Sequence, residues 1–535
     1  MRTSKAWLFV VAAAWVVGMA AAAAPAAVRL PSVFGDDMVL QREMPVPVWG
    51  WADAGEKVTV KFAGQEKTAT AGADGTWTLK LDKMPAADAP AEMTVTDGSG
   101  KARTIKNILV GEVWLGSGQS NMEMSVGGCL DVDRVSQEAK YPAIRMFIVD
   151  KKPAGEPRDD VFGRWHVCTP DTVRGFSAVL YFFGLRIHKE LGVPVGLLHS
   201  SWGGTAIEPW TPRCGFAAVE SLEPFVKRID EAPAQYRKQV GEAIAQVEAW
   251  LPKAKEALAA KGPIPPAPQV PAHPLDSSGA PTGLYNGMIH GLIPYAMRGA
   301  LWYQGESNGG EGKSYYEKKV ALIGGWRKLW GQGDFPFYFA RLASFMAPNA
   351  NPEGGDGWAR VEEAQAACLS IPHTGMAALT DIGDAKDIHP KNKQDVGERL
   401  ALWALAKDYG KKDIVYSGPM VKACQVDGAK MILSFDHVGS GLMVGKKEGL
   451  APTQEVKDGA LKGFAIKGDD GKWYWADAKI EGRTVVVSSD KVSKPAAARY
   501  GFTTNTDHIN LYNKEGLPAV PFRTDPEWTV EGKGL

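Results

Sequence analysis

Ile108-Leu109-Val110-Gly111-Glu112-Val113-Trp114-Leu115 runs directly into Gly116-Ser117-Gly118-Gln119-Ser120-Asn121-Met122-Glu123. An apolar, β-rich run that breaks into a glycine-flanked serine reads as a strand ending in a tight turn. Such a turn lifts one hydroxyl above the end of a sheet, which is where open α/β sheets carry their chemistry. Ser120 is therefore a candidate nucleophile. Alone, the fragment favours a plain turn, because small polar residues dominate turns for backbone reasons. It also lacks the G-x-S-x-G elbow of α/β-hydrolases. What Ser120 does depends on which other segments reach the same rim.

Outward from this stretch the chain divides into parts. Residues 28–106 read as an N-terminal β-sandwich-like domain. Its short runs Met44–Trp51, Lys57–Phe62, Gly75–Lys80 and Met93–Thr96 are separated by Gly/Asp/Pro turns. Residues 107–410 alternate strand and helix signals, the pattern of a doubly wound parallel sheet. Strand candidates there are Val195–His199, Gly299–Tyr303, Phe337–Ala340 and Met376–Thr380. Residues 216–275 form an insertion, first alanine-rich and helical in period, then Pro-rich from Gly262 to Pro268 and so extended and semi-rigid. Residues 411–535 return to short β runs such as Met431–Phe435 and Thr484–Val487. The expected class is α/β with β-rich accessory regions at both ends.

Arg2 and Lys5 precede an apolar block from Ala6 to about Ala20 and the run Ala21-Ala22-Ala23-Ala24-Pro25-Ala26-Ala27. These are the marks of a secretory signal peptide over residues 1–24, with cleavage at 24 to 27. The mature protein is expected to be secreted or periplasmic, with no membrane partner after cleavage. The 61 basic and 61 acidic residues balance, without a long run of one sign, which argues against nucleic acid as partner. Five scattered cysteines without C-x-x-C spacing leave room for one or two bridges, and a chain of this size needs no disulfide framework. The 18 tryptophans are compatible with carbohydrate stacking, although buried tryptophans are mostly core.

Three further post-strand segments supply what a serine nucleophile needs. Leu198-His199-Ser200-Ser201-Trp202-Gly203-Gly204-Thr205 offers paired glycines whose N–H groups allow close approach to a substrate oxygen. Trp302-Tyr303-Gln304-Gly305-Glu306-Ser307-Asn308 offers side-chain amides and a carboxylate. Asp381-Ile382-Gly383-Asp384-Ala385-Lys386-Asp387-Ile388-His389-Pro390 offers a histidine among carboxylates, the set required by a Ser/His/acid device. Each has a plain reading as turn or helix cap, such as an Asp-x-His-Pro cap for a helix from about Asn392. Four such segments after strands of one sheet converge on one rim.

These strings, with Leu30–Gln41, Leu284-Tyr285-Asn286-Gly287-Met288, Asp387–Asn392 and Asn510-Leu511-Tyr512-Asn513, resemble the sialate O-acetylesterase-like carbohydrate esterases, a branch of the SGNH hydrolases. The resemblance covers nearly the whole mature chain. It implies an SGNH-like fold and removal of O-acetyl groups from carbohydrates, with sialates first and acetylxylan or another polysaccharide as the alternative. It implies Ser120 as nucleophile, His389 as base, and an oxyanion hole of the Ser120 N–H, a Gly204 (or Gly203) N–H and the Gln304 amide, where the wider superfamily has asparagine. The acid stays open. The superfamily position three before the histidine is Lys386, so Asp387 comes first, with Asp384, Asp381 and Glu306 as alternatives.

No metal or cofactor is expected, since no H-E-x-x-H or comparable ligand cluster is present. Ser307–Ser314 nearly spells a phosphate-binding P-loop, but its first position is serine and an exported protein meets no ATP pool. A non-catalytic carbohydrate-binding protein is the remaining rival, and intact Ser120, Gln304 and His389 argue against it.

Overall fold

The strand Ala102–Gly118 is 17 residues long and organises the computed structural model, which describes residues 28–530. The expected signal peptide lies outside the described residues. The second half of this strand is buried on both faces, as a central strand of a parallel sheet must be. Seven strands lie in the order Thr374–Ala377, Phe337–Ala340, Gly299–Tyr303, Ala102–Gly118, Val195–Ser201, Tyr141–Val149 and Gly163–Cys168. All neighbours are parallel except the last pair. From Ala102–Gly118 the chain builds one side of the sheet, then crosses to build the other. The carboxyl end of that strand is thus the topological switch point, where ligands bind in doubly wound sheets.

Helices cover both faces. Trp114 meets Phe183 of the helix Ala178–Leu191 at 4.8 Å. Trp302 meets Trp210 and Trp326 on the other side at 6.3 and 6.1 Å. Nine of the 16 described tryptophans are buried, and each fully buried aromatic of this kind contributes roughly 2–3 kcal/mol of apolar burial. The α/β class with β-rich regions at both ends holds.

The first half of Ala102–Gly118 belongs to the N-terminal sheet. It pairs antiparallel with Ala87–Thr96 and parallel with Val39–Gln41. The strands Val46–Trp51 and Thr76–Leu81 form the second layer. The expected boundary at 106/107 therefore falls inside one continuous strand, because a strand's hydrogen-bonding edges serve one sheet and then the next without a turn. Glu112 marks the crossover. It is fully buried and accepts hydrogen bonds from Gln41 Nε2 at 3.0 Å, Arg42 Nε at 2.5 Å and Arg298 Nε at 2.9 Å. Burial opposes its ionisation, but the hydrogen bond and charge of Arg298, with Arg42 and Gln41, hold its pKa below the ordinary glutamate value of 4.5. Because the folded-state pKa is depressed, this contribution is present above pH 4.5 and is lost as pH falls further. Glu112→Ala, which leaves Arg42 and Arg298 with the more distant Glu43 at 3.5 and 3.7 Å, is expected to cost about 3 kcal/mol in chemical unfolding. A loss under about 1 kcal/mol would mean that this cluster does not tie the layers together.

The insertion is a 37-residue helix, Glu223–Ala259, followed by the Pro-rich return, where Trp250 Nε1 donates to the Pro265 carbonyl at 2.8 Å. The long helix begins seven residues after the expected start at 216. Phe216 is fully buried in the short helix Arg213–Phe216 and stacks on Phe225 at 4.9 Å. The C-terminal region has its own core around Leu433, Ile466, Val485 and Tyr500. All five cysteines are unpaired. Among the described residues no helix is long and apolar enough to cross a membrane.

Candidate active site

Strand register brings the predicted segments together. Gly118 is level with Ser201 on one side and Tyr303 on the other. The chain beyond each residue therefore emerges at the same height on the rim. Gly118 has φ +135°, and a Cβ there would lie 2.2 Å from the Tyr303 carbonyl oxygen, so only glycine permits this turn. The Gln119 N–H donates to that same carbonyl at 3.0 Å, and Ser120 opens the short helix Ser120–Glu123.

His389 Nε2 lies 2.8 Å from Ser120 Oγ. On the far side of the ring, Asp387 Oδ1 is 3.5 Å from Nδ1 and accepts the His389 backbone N–H at 2.9 Å. The 3.5 Å contact is an ion-pair distance rather than a hydrogen bond. The helix that follows, Lys393–Lys407, is capped by Asn392, whose side chain accepts from the Asp395 N–H at 3.1 Å, so Asp387 is free of capping duty.

The other candidate acids stand elsewhere. Asp381 is a buried bidentate partner of Arg399 at 2.7 and 2.8 Å. Asp384 is exposed and accepts the Lys386 N–H at 2.8 Å. Glu306 accepts from Asn121 Nδ2 at 2.6 Å, its second oxygen is buried without a partner, and burial pushes its pKa up. None of the three forms a hydrogen bond or ion pair with His389.

Two of the expected oxyanion donors need correction. Gln304 is fully buried and does not present its amide to Ser120. Its Nε2 donates to Asn308 Oδ1 at 2.7 Å and the Thr205 carbonyl at 3.3 Å, and its Oε1 accepts from Tyr315 at 2.9 Å. Both amide protons are spent, so Gln304 ties the loops together from beneath. Gly203, the alternative glycine, lies against Ser120 but donates its N–H to Glu123 Oε2 at 2.6 Å. Among the described residues, the Ser120 and Gly204 N–H groups have no acceptor. Gly204 adopts φ +75° with open space around its Cα.

The site opens into a cleft of about 850 Å³ whose lining includes His199, Trp202 and Lys151. His199 Nε2 is 2.6 Å from Ser201 Oγ, and burial pushes the ring's pKa down to about 4, so it is neutral near pH 7. Among the described residues no group of three or more His, Cys, Asp or Glu side chains is placed to hold a metal ion.

A sequence family described as carbohydrate esterase, sialic acid-specific acetylesterase, matches residues 278–406. The rat sialate O-acetylesterase is 30% identical over 454 residues, covering 76% of this chain and 79% of the rat protein. The chain belongs to the sialate O-acetylesterase family. It is accordingly a carboxylic ester hydrolase of the carbohydrate esterase class. The human sialate O-acetylesterase is 28% identical over 540 residues, covering 92% of both chains. The crystal structure of a carbohydrate acetylesterase from Xanthomonas citri superposes with a TM-score of 0.77 at 34% identity, covering 94% of this chain and 100% of that one.

Within this esterase, sequence reading missed a buried network behind the site. Lys393 Nζ is fully buried and donates to Asn121 Oδ1 at 2.5 Å, while Asn121 Nδ2 also donates to the Ile388 carbonyl at 3.0 Å. Asn121 thus couples Glu306 and Lys393 to the backbone beside His389. A signal existed: Lys393, Val396, Gly397, Leu400, Ala401 and Ala404 share one buried helical stripe, so the lysine lies on the inward face. Burial pushes the Lys393 pKa down to about 7 against the pull of Glu306. Between pH 7 and about 10 the unfolded chain holds a proton that the folded one has released, so stability rises with pH there. Lys393→Met is expected to flatten that part of the Tm-versus-pH curve. An unchanged slope would mean that Lys393 remains charged in the fold.

Proposed function

We propose that this esterase removes O-acetyl groups from carbohydrates through an acetyl-serine intermediate on Ser120. The carrying observation is the 2.8 Å contact between His389 Nε2 and Ser120 Oγ at the mouth of an open cleft. His389 Nε2 takes the Ser120 proton as Oγ attacks the acetyl carbonyl carbon. The Ser120 and Gly204 N–H groups face the developing oxyanion, and each such donor is worth about 100- to 1,000-fold in rate. Asp387 orients the ring and stabilises the imidazolium. Collapse breaks the bond to the sugar oxygen, which leaves with the proton from Nε2. A water, deprotonated at the same nitrogen, then releases acetate and restores Ser120. The reading takes the chain to act after export, as its leader-like N-terminus suggests, where acetylated glycans are met. Sialates, named for the curated relatives, and acetylated xylan-type polysaccharides are the two candidate acceptor classes that the test compares.

The test is a pre-steady-state reaction with p-nitrophenyl acetate beside acetate release from an acetylated sugar. Expected are a burst near one equivalent per enzyme and an acetyl adduct mapped to Ser120. An adduct on another residue, or turnover unchanged in Ser120→Ala, would overturn the reading.

A further inference from the structure

We infer that the sugar carrying the acetyl group is uncharged: the cleft at Ser120 is arranged for a neutral acetylated glycan and against one that bears a free carboxylate. This rests on the esterase reading of Ser120 and His389.

The charge inventory of the cleft carries the inference. Glu123, Asp150 and Asp387 line it with three carboxylates, and Lys151 is its single lysine or arginine. That ammonium is already committed, with Nζ 2.6 Å from Glu123 Oε1. Glu123 is itself held by the Gly203 N–H at 2.6 Å. Pulling Lys151 onto a substrate carboxylate would take away the counter-charge of Glu123, one residue shell from Ser120. The two histidines do not supply the missing charge. His199 is neutral near pH 7 because it is buried, and His389 must be neutral to act as base. Of the cations nearby, Lys152 lies 3.6 Å over the Phe162 ring and Arg174 pairs with Asp133 at 3.1 Å, while the exposed Lys386, next to Asp387, does not line the cleft.

Sites that read a sugar carboxylate use an unspent cation, commonly the bidentate fork of arginine. None lines this cleft. A concave surface of one sign with low-dielectric walls instead repels an anion of that sign. The remaining wall suits a neutral ring. Trp202 is half-buried beside the glycine turn, with Lys151 Nζ 5.6 Å from the centre of its ring, and Met124, Ile148 and Val149 are apolar.

The experiment follows acetate release from three substrates at low ionic strength: O-acetyl-N-acetylneuraminic acid, its carboxyl methyl ester, and an acetylated neutral xylo-oligosaccharide. The methyl ester removes the charge at issue at the cost of one added methyl group. Expected is a kcat/KM for the ester at least about tenfold above that for the free acid, with the neutral oligosaccharide also above the acid. The gap should close as salt is added, and Asp150→Lys should narrow it. A methyl ester that fares no better than the free acid overturns the inference while p-nitrophenyl acetate turnover leaves the esterase reading standing. Failure on all of these substrates, p-nitrophenyl acetate included, removes the esterase reading and this inference together.

Discussion

Ser120→Ala is expected to lower kcat/KM on an acetyl ester by about a million-fold, and His389→Ala by a similar factor. The two side chains form one device. The hydroxyl is a poor nucleophile until Nε2 removes its proton, and the ring has nothing to deprotonate once Oγ is gone. The 2.8 Å contact makes that coupling direct. The double variant should therefore be scarcely worse than either single one. What survives in all three is the background from binding and the Ser120 and Gly204 N–H groups, roughly a thousandfold over water. Initial rates on p-nitrophenyl acetate, with matched unfolding curves, check this. Losses that multiply in the double variant would show that Ser120 and His389 act separately.

Asp387→Asn is expected to cost about 100- to 10,000-fold in kcat, with KM little changed. Asparagine keeps an oxygen for the His389 N–H, so the loop should persist. It withdraws the negative charge beside Nδ1 and offers an amide proton that favours the wrong ring tautomer. Because Asp387 is 43% exposed and 3.5 Å from Nδ1, the loss belongs in the lower part of that range. Glu306→Gln is the decisive control. It preserves the acceptor for Asn121 Nδ2 and removes a charge that burial disfavours, so kcat should fall less than about tenfold. Asp381→Asn should weaken the fold through Arg399 without a comparable loss of kcat. A large loss in Glu306→Gln with a small one in Asp387→Asn would transfer the acid role to Glu306.

Much of this was legible because strand ends are legible. Gly299–Tyr303 and Phe337–Ala340 read as strands from composition alone and are strands in the structure. Equal register then forces the segments behind Gly118, Ser201 and Tyr303 to one rim. The antiparallel edge strand Gly163–Cys168 carried no comparable apolar run and was not foreseen. Gln304 shows a different limit. Its type and position suited an oxyanion donor, but whether an amide points at substrate or at Asn308 is decided by side-chain packing four residues on, to which backbone periodicity is blind. Asp387 ranks ahead of Asp384 in the sequence only by its distance from His389, and it is the turn that places one of them, Asp387, beside the ring. Lys393 lay within reach of the helical period, yet a lysine on an apolar stripe is ordinarily read as an exposed charge.

The 17-residue strand has a consequence for how the protein comes apart. Its one end is woven into the N-terminal layers and its other end carries the turn with Ser120. Residues that never approach the substrate therefore share a single ribbon of backbone with the nucleophile, clamped midway at Glu112. A module joined this way is not detachable cargo. Fraying of the outer layer is transmitted along the ribbon to the reactive hydroxyl, so the two regions belong to one cooperative opening unit, with amide exchange in the N-terminal sheet and at the rim sharing one free energy.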